Sequence, residues 1–112
     1  MEIQREDGTV IVLLPRRFDS DSAPDAEREI RTILADGPER LLFDLSSTDY
    51  VSSAGVRVLL SAAHAQKERH REIALCSLNR QVQYVFEITR LNQVFPIYED
   101  RKRALKKMGG KA

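Results

Sequence analysis

Three short apolar runs constrain this chain most: Thr9-Val10-Ile11-Val12-Leu13-Leu14, Arg40-Leu41-Leu42-Phe43-Asp44-Leu45, and Glu72 to Leu78. The first is β-branched and apolar on both faces, as a strand buried between two layers must be. The other two read as further interior strands. Between the runs the spacing turns helical. Ala23, Ala26, Ile30, Ile33 and Leu34 recur at steps of three and four, and so do Val56, Leu59, Leu60 and Ala63. Val82, Val85, Phe86 and Thr89 mark a third helix. Strands alternating with helices predict parallel pairing through right-handed crossovers.

The flanks complete the pattern. Glu2 to Glu6 reads as an edge strand, and Asp7-Gly8 is a turn signal. Pro15 ends the first run because it has no N–H to donate. Ser22 or Asp21 is expected to cap the first helix, with Pro24 in its first turn, and Asp36-Gly37-Pro38 to stop it. Val94 to Tyr98 is a short edge strand, demoted by Pro96, and Glu99 to Met108 a terminal helix through Ala104, Leu105 and Met108. The expected order is β-β-α-β-α-β-α-β-α. That is an α/β fold with a mixed, mostly parallel sheet in one domain, residues 1–108, followed by a frayed tail, 109–112.

Charge and composition exclude several classes. The net charge of +1 gives no field to draw nucleic acid, so no direct nucleic-acid partner is expected. Cys76 is the one cysteine, so no internal disulfide forms; it reads as a small buried hydrophobe. No apolar run approaches the roughly 18 residues of a membrane span, and no signal peptide is visible, so the expected location is cytoplasmic. His64 and His70 have no partner at metal-ligand spacing and read as solvated. Neither GxGxxG nor GxxxxGK[ST] occurs. No catalytic set, metal site or cofactor loop is written, and the chain is not expected to be an enzyme.

The junction Tyr50-Val51-Ser52-Ser53-Ala54-Gly55 concentrates the functional signal. In α/β sheets, function gathers in the loops at the carboxyl ends of strands. Three such loops stand out: one holding Asp19, one following Asp44, and one holding Ser52 and Ser53, where a helix opens near Ala54. By spacing alone the two serines read as an N-cap. A helix start also welcomes a phosphate, so capping and modification coexist there. Gly55 is a poor helix former in a first turn, a cost that wants a reason. Asp19 reads as a loop or cap residue, and Asp44 as a carboxylate tying the loop after its strand.

The series Leu41-Leu42-Phe43-Asp44-Leu45-Ser46, Tyr50-Val51-Ser52-Ser53-Ala54-Gly55-Val56-Arg57-Val58-Leu59, Phe18-Asp19 with Ser22-Ala23, and Phe86 to Tyr98 resembles the STAS domains, most closely the bacterial anti-sigma-factor antagonists. The resemblance covers most of the chain. It departs from the family pattern at Ser52, where an acidic residue is usual, and at Ala54, which follows the serine. The resemblance implies that Ser53 is the phosphoacceptor, with Ser52 as second choice, in an environment of Asp19, Asp44, Ser52 and Gly55. It implies a partner interface of Asp19, Ser53, Ala54 and Arg57. It further implies that the unphosphorylated chain binds an anti-sigma factor, a serine kinase of the histidine-kinase-like ATPase type, and so releases a sigma factor. Phosphorylation breaks that complex, and a phosphatase of the PP2C type restores it. The alternative on the same fold is a non-switching STAS subunit, such as an accessory protein of a lipid-transport ABC complex.

Overall fold

The computed structural model describes residues 1–110. Strands β1 (Glu2–Glu6) and β2 (Thr9–Leu13) form an antiparallel hairpin. At its turn Asp7 and Gly8 have φ of 48° and 83°, the left-handed pair that a two-residue hairpin turn demands. Strands β4 (Arg40–Asp44), β6 (Glu72–Cys76) and β7 (Ile97–Tyr98) then add in parallel, in the order β1-β2-β4-β6-β7. Two strands were not anticipated. Arg17–Phe18 (β3) and Tyr50–Val51 (β5) pair in parallel as a separate two-stranded ribbon. Otherwise the element order matches the expectation.

The main sheet divides the core unequally. Val10 and Val12, Leu41 and Phe43, and Leu75 point to one face. There they meet helices α1 (Ala23–Ala35), α2 (Ser53–Glu68) and α3 (Arg80–Ile88) through Ile30, Leu59, Phe86 and their neighbours. The alternate residues Ile11, Leu42, Ala74 and Cys76 point to the other face, which α4 (Arg101–Lys107) covers with Ala104, joined by Met108. This period-two split explains why the runs are apolar on both sides.

Several boundaries and faces differ from expectation. The third run ends at Cys76, because Ser77 takes a positive φ of 66°. The last strand shrinks to two residues, since Leu91–Gln93 forms a 3-10 turn and Pro96 cannot donate to a ladder. Ser22 occupies the cap position of α1 but makes no side-chain cap bond. Its Oγ donates to Arg17 O at 2.6 Å and accepts from Asp19 N–H at 3.1 Å. The buried stripe of α2 is Gly55, Val58, Leu59, Ala62, Ala63 and Gln66, so the expected Val56 and Leu60 fall outside it. Of the expected tail 109–112, Gly109 donates its N–H to both carboxylate oxygens of Glu72, at 3.1 Å each; Lys111 and Ala112 lie outside the described residues.

Candidate functional site

The β3–β5 ribbon builds the site. Phe18 pairs with Val51, and Phe18 O accepts the Ser52 N–H at 2.9 Å. The residues next along each strand, Asp19 and Ser52, are thereby set side by side. Thr48 holds the preceding loop from within: it is buried, and its hydroxyl donates to Pro15 O at 2.9 Å. Asn79 Nδ2 donates to Thr48 O at 3.3 Å, while its Oδ1 accepts from Val82 N–H and caps α3. The loop, the ribbon and the start of α3 are one hydrogen-bonded unit.

The two serines have different jobs. Ser52 is the N-cap of α2, and its Oγ accepts from Ala54 N–H at 3.1 Å and Gly55 N–H at 3.4 Å. Ser53 is the first residue of the helix and is exposed, and its hydroxyl makes no hydrogen bond among the described residues. Capping therefore occupies one serine and leaves its neighbour free in a field that favours negative charge. Ala54 is half-buried against the main core, and Gly55 is buried where α2 meets Phe18. Arg57, one turn further, is exposed and forms no ion pair among the described residues.

Asp19 organises the neighbouring loop. Its Oδ1 accepts from Asp21 N–H at 3.0 Å and Ser22 N–H at 3.3 Å, and Oδ2 accepts from Arg17 Nε at 3.3 Å. Desolvation, the largest single influence, raises the Asp19 pKa. The two N–H donors and the Arg17 guanidinium together outweigh it, so the carboxyl titrates below its ordinary value. Arg17 also lies 4.7 Å over the Tyr50 ring, and Arg16 pairs with Asp49 at 2.8 Å.

Asp44 does not join this surface. It follows Leu42 on the α4 face of the sheet, is 4% exposed, and is held by Arg101 through Nε and Nη2, both at 3.0 Å. Its Oδ1 accepts from Ser46 N–H at 2.9 Å. The two-residue period at the end of β4 aims it away from α2, so its role is to bind strand, loop and α4 together. A feature that sequence reasoning missed lies on the other side of the ribbon. Tyr50 and Val51 face Val82, Val85 and Phe86 of α3 across an apolar groove of about 250 Å³. Tyr84 and Ile88 extend α3's exposed apolar surface, at 61% and 60% exposure. The signal was the wide spread of apolar residues around α3, more than a single buried stripe needs. Among the described residues, no three metal-ligating side chains cluster, and no helix is long and apolar enough to cross a membrane.

Comparison with known proteins follows the same lines. The STAS domain profile matches residues 1–104. BtrV of Bordetella bronchiseptica, proposed as an anti-sigma factor antagonist, is 34% identical over 104 residues, covering 93% of this chain and 90% of that protein. The crystal structure of an anti-sigma factor antagonist from Mycobacterium paratuberculosis superposes with a TM-score of 0.86 at 24% identity, covering 94% of this chain and 89% of the other. The unphosphorylated form of the Bacillus anti-sigma factor antagonist SpoIIAA superposes at 0.84 and 16% identity, covering 99% and 97%. At these identities the two structures speak for the fold.

Proposed function

The chain belongs to the STAS domain family, and from that premise we propose that it is an anti-sigma-factor antagonist switched by phosphorylation of Ser53. In this reading the unphosphorylated chain works in the cytoplasm. It binds an anti-sigma factor that is also a serine kinase of the histidine-kinase-like ATPase type, and a PP2C-type phosphatase reverses the modification. The observation that carries the reading is the division of labour between the serines: Ser52 Oγ is spent on two helix N–H groups, and Ser53 stands exposed beside it. Asp19 and Arg57 flank Ser53 as interface residues, and the groove between Tyr50 and α3 offers further apolar contact area across the ribbon.

The switch needs no rearrangement. Phosphorylation replaces a neutral hydroxyl with close to two negative charges and three strong acceptors. A partner surface fitted to the hydroxyl then meets a charge it must desolvate beside the Asp19 carboxylate. Each 1.4 kcal/mol of mismatch weakens binding tenfold. The chain acts by binding, and the covalent chemistry belongs to its partners.

The test is capture of the wild-type chain's partner from native lysate, followed by incubation with ATP, intact-mass analysis and peptide mapping. One added phosphate, on Ser53, is expected, together with loss of the complex. Phosphate on Ser52, or undiminished labelling of Ser53→Ala, overturns the site. A captured partner with no serine kinase activity overturns the function.

A further inference from the structure

We propose that the open edge of β6 is a docking groove for an extended peptide segment of a partner protein, apolar at its centre and acidic at its flanks. Pairing between β6 and β7 covers only Leu75 opposite Ile97 and Cys76 opposite Tyr98. Along β6 the even-numbered residues turn their main-chain groups to β4: Glu72 N–H donates to Glu39 O at 3.1 Å, and Cys76 O accepts from Leu45 N–H at 2.9 Å. Ile73 and Leu75 turn theirs outward. Leu75 N–H finds Pro96 O at 2.9 Å. One step back, the Ile73 carbonyl would take its bond from residue 96, and proline has no N–H to give. The Ile73 N–H and C=O are left without a hydrogen-bond partner among the described residues. A strand position in this state is a template for another strand.

The surroundings state what that strand should be. Ile73 sits in a groove of about 420 Å³ walled by Leu60 of α2 on one side and by Val94 and Pro96 on the other. Leu60 and Val94 are 38% and 40% exposed. Two cations, Lys67 and Arg71, stand on the groove. Lys67 makes no ion pair, and Arg71 donates only to the Gly37 carbonyl, at 3.3 Å, among the described residues. The Glu72 carboxylate also lines the groove and accepts from the uncharged Gly109 N–H, so Lys67 and Arg71 face one anion. The balance of the ionised lining is therefore positive by one. Strand addition supplies main-chain bonds, the apolar walls take one side chain, and the cations select acidic neighbours. This groove is independent of the Ser53 switch, because Leu60 and Lys67 lie beyond the first turn of α2.

The probe is acetyl-Glu-Val-Leu-Val-Glu-amide, titrated into ¹⁵N-labelled protein and followed by amide shifts. We expect a saturable downfield shift at Ile73, at least tenfold weaker binding to the Lys67→Glu/Arg71→Glu variant, and loss of binding when the peptide's central amide is N-methylated. Both substitutions are on exposed side chains, and an otherwise unchanged spectrum verifies folding. Ser53→Asp should bind the peptide as the wild type does. No response at Ile73, or equal binding of a peptide with lysine flanks, overturns the proposal. A shift at Ile73 that follows protein concentration without peptide assigns the edge to a second copy of the chain and overturns it as well.

Discussion

An ideal Cβ built on Gly55 would lie 2.5 Å from the Phe18 carbonyl oxygen and 3.0 Å from its ring. That explains a glycine in the first turn of a helix, where alanine would otherwise be the better former. The same carbonyl accepts the Ser52 N–H, so it cannot retreat without breaking the ribbon. Gly55→Ala should therefore destabilise by about 1–3 kcal/mol, the usual range for overpacking, and urea unfolding checks this. An unchanged midpoint would show that α2 can slide. Asp19 makes a prediction in pH. Its native pKa is lowered, so the stability it contributes is complete above its unfolded value of about 4 and is lost as pH falls through the native value. The stability difference between the wild type and Asp19→Asn should hold steady from pH 7 to about 5 and narrow towards pH 2. A gap that persists unchanged to pH 2 would show that the hydrogen-bonded geometry matters and the charge does not.

At the scale of elements, α4 is tied to the sheet by Arg101. Its guanidinium bridges Asp44 and, at 2.7 Å, Gln4 Oε1 of β1. Removing it leaves a buried carboxylate without its counter-charge, so Arg101→Ala should cost on the order of 3 kcal/mol. A loss below about 0.5 kcal/mol, the level of an ordinary surface change, would mean that water replaces the guanidinium. The strand and helix alternation was legible because the residues of the three runs pack on both faces of one sheet. The face of α2 was not. Val56, Val58, Leu59 and Leu60 nearly adjoin, so apolarity alone cannot choose a stripe. The choice falls to Gly55, Ala62 and Ala63, small residues that allow close approach and carry little hydrophobic signal. The ribbon escaped notice because two-residue strands show no periodicity. The helix start at Ser52 and Ser53 was legible from its motif, whereas Asp44's turn towards α4 depends on strand register, which only the pairing reveals.

For the molecule as a whole, Cys76 reports how firmly the small side of the sheet is closed. The thiol is fully buried under α4, and burial, the leading cause, pushes its pKa up to about 11. At pH 8 the native protein should resist a thiol-reactive disulfide reagent and react fully in urea, as absorbance would show. Native labelling at the rate of a free cysteine would mean that α4 opens readily. The sheet order has a consequence in time as well. Only the β1–β2 hairpin closes locally; joining Thr9 to Arg40 spans 31 residues, and joining Arg40 to Glu72 spans a similar stretch. Each parallel pairing spends loop entropy before it returns contacts. In chain order the hairpin precedes β4, β6 and β7, so each of these strands can add to an edge already made, and α4 with its Arg101 comes after them to cover the face of Ile11 and Leu42.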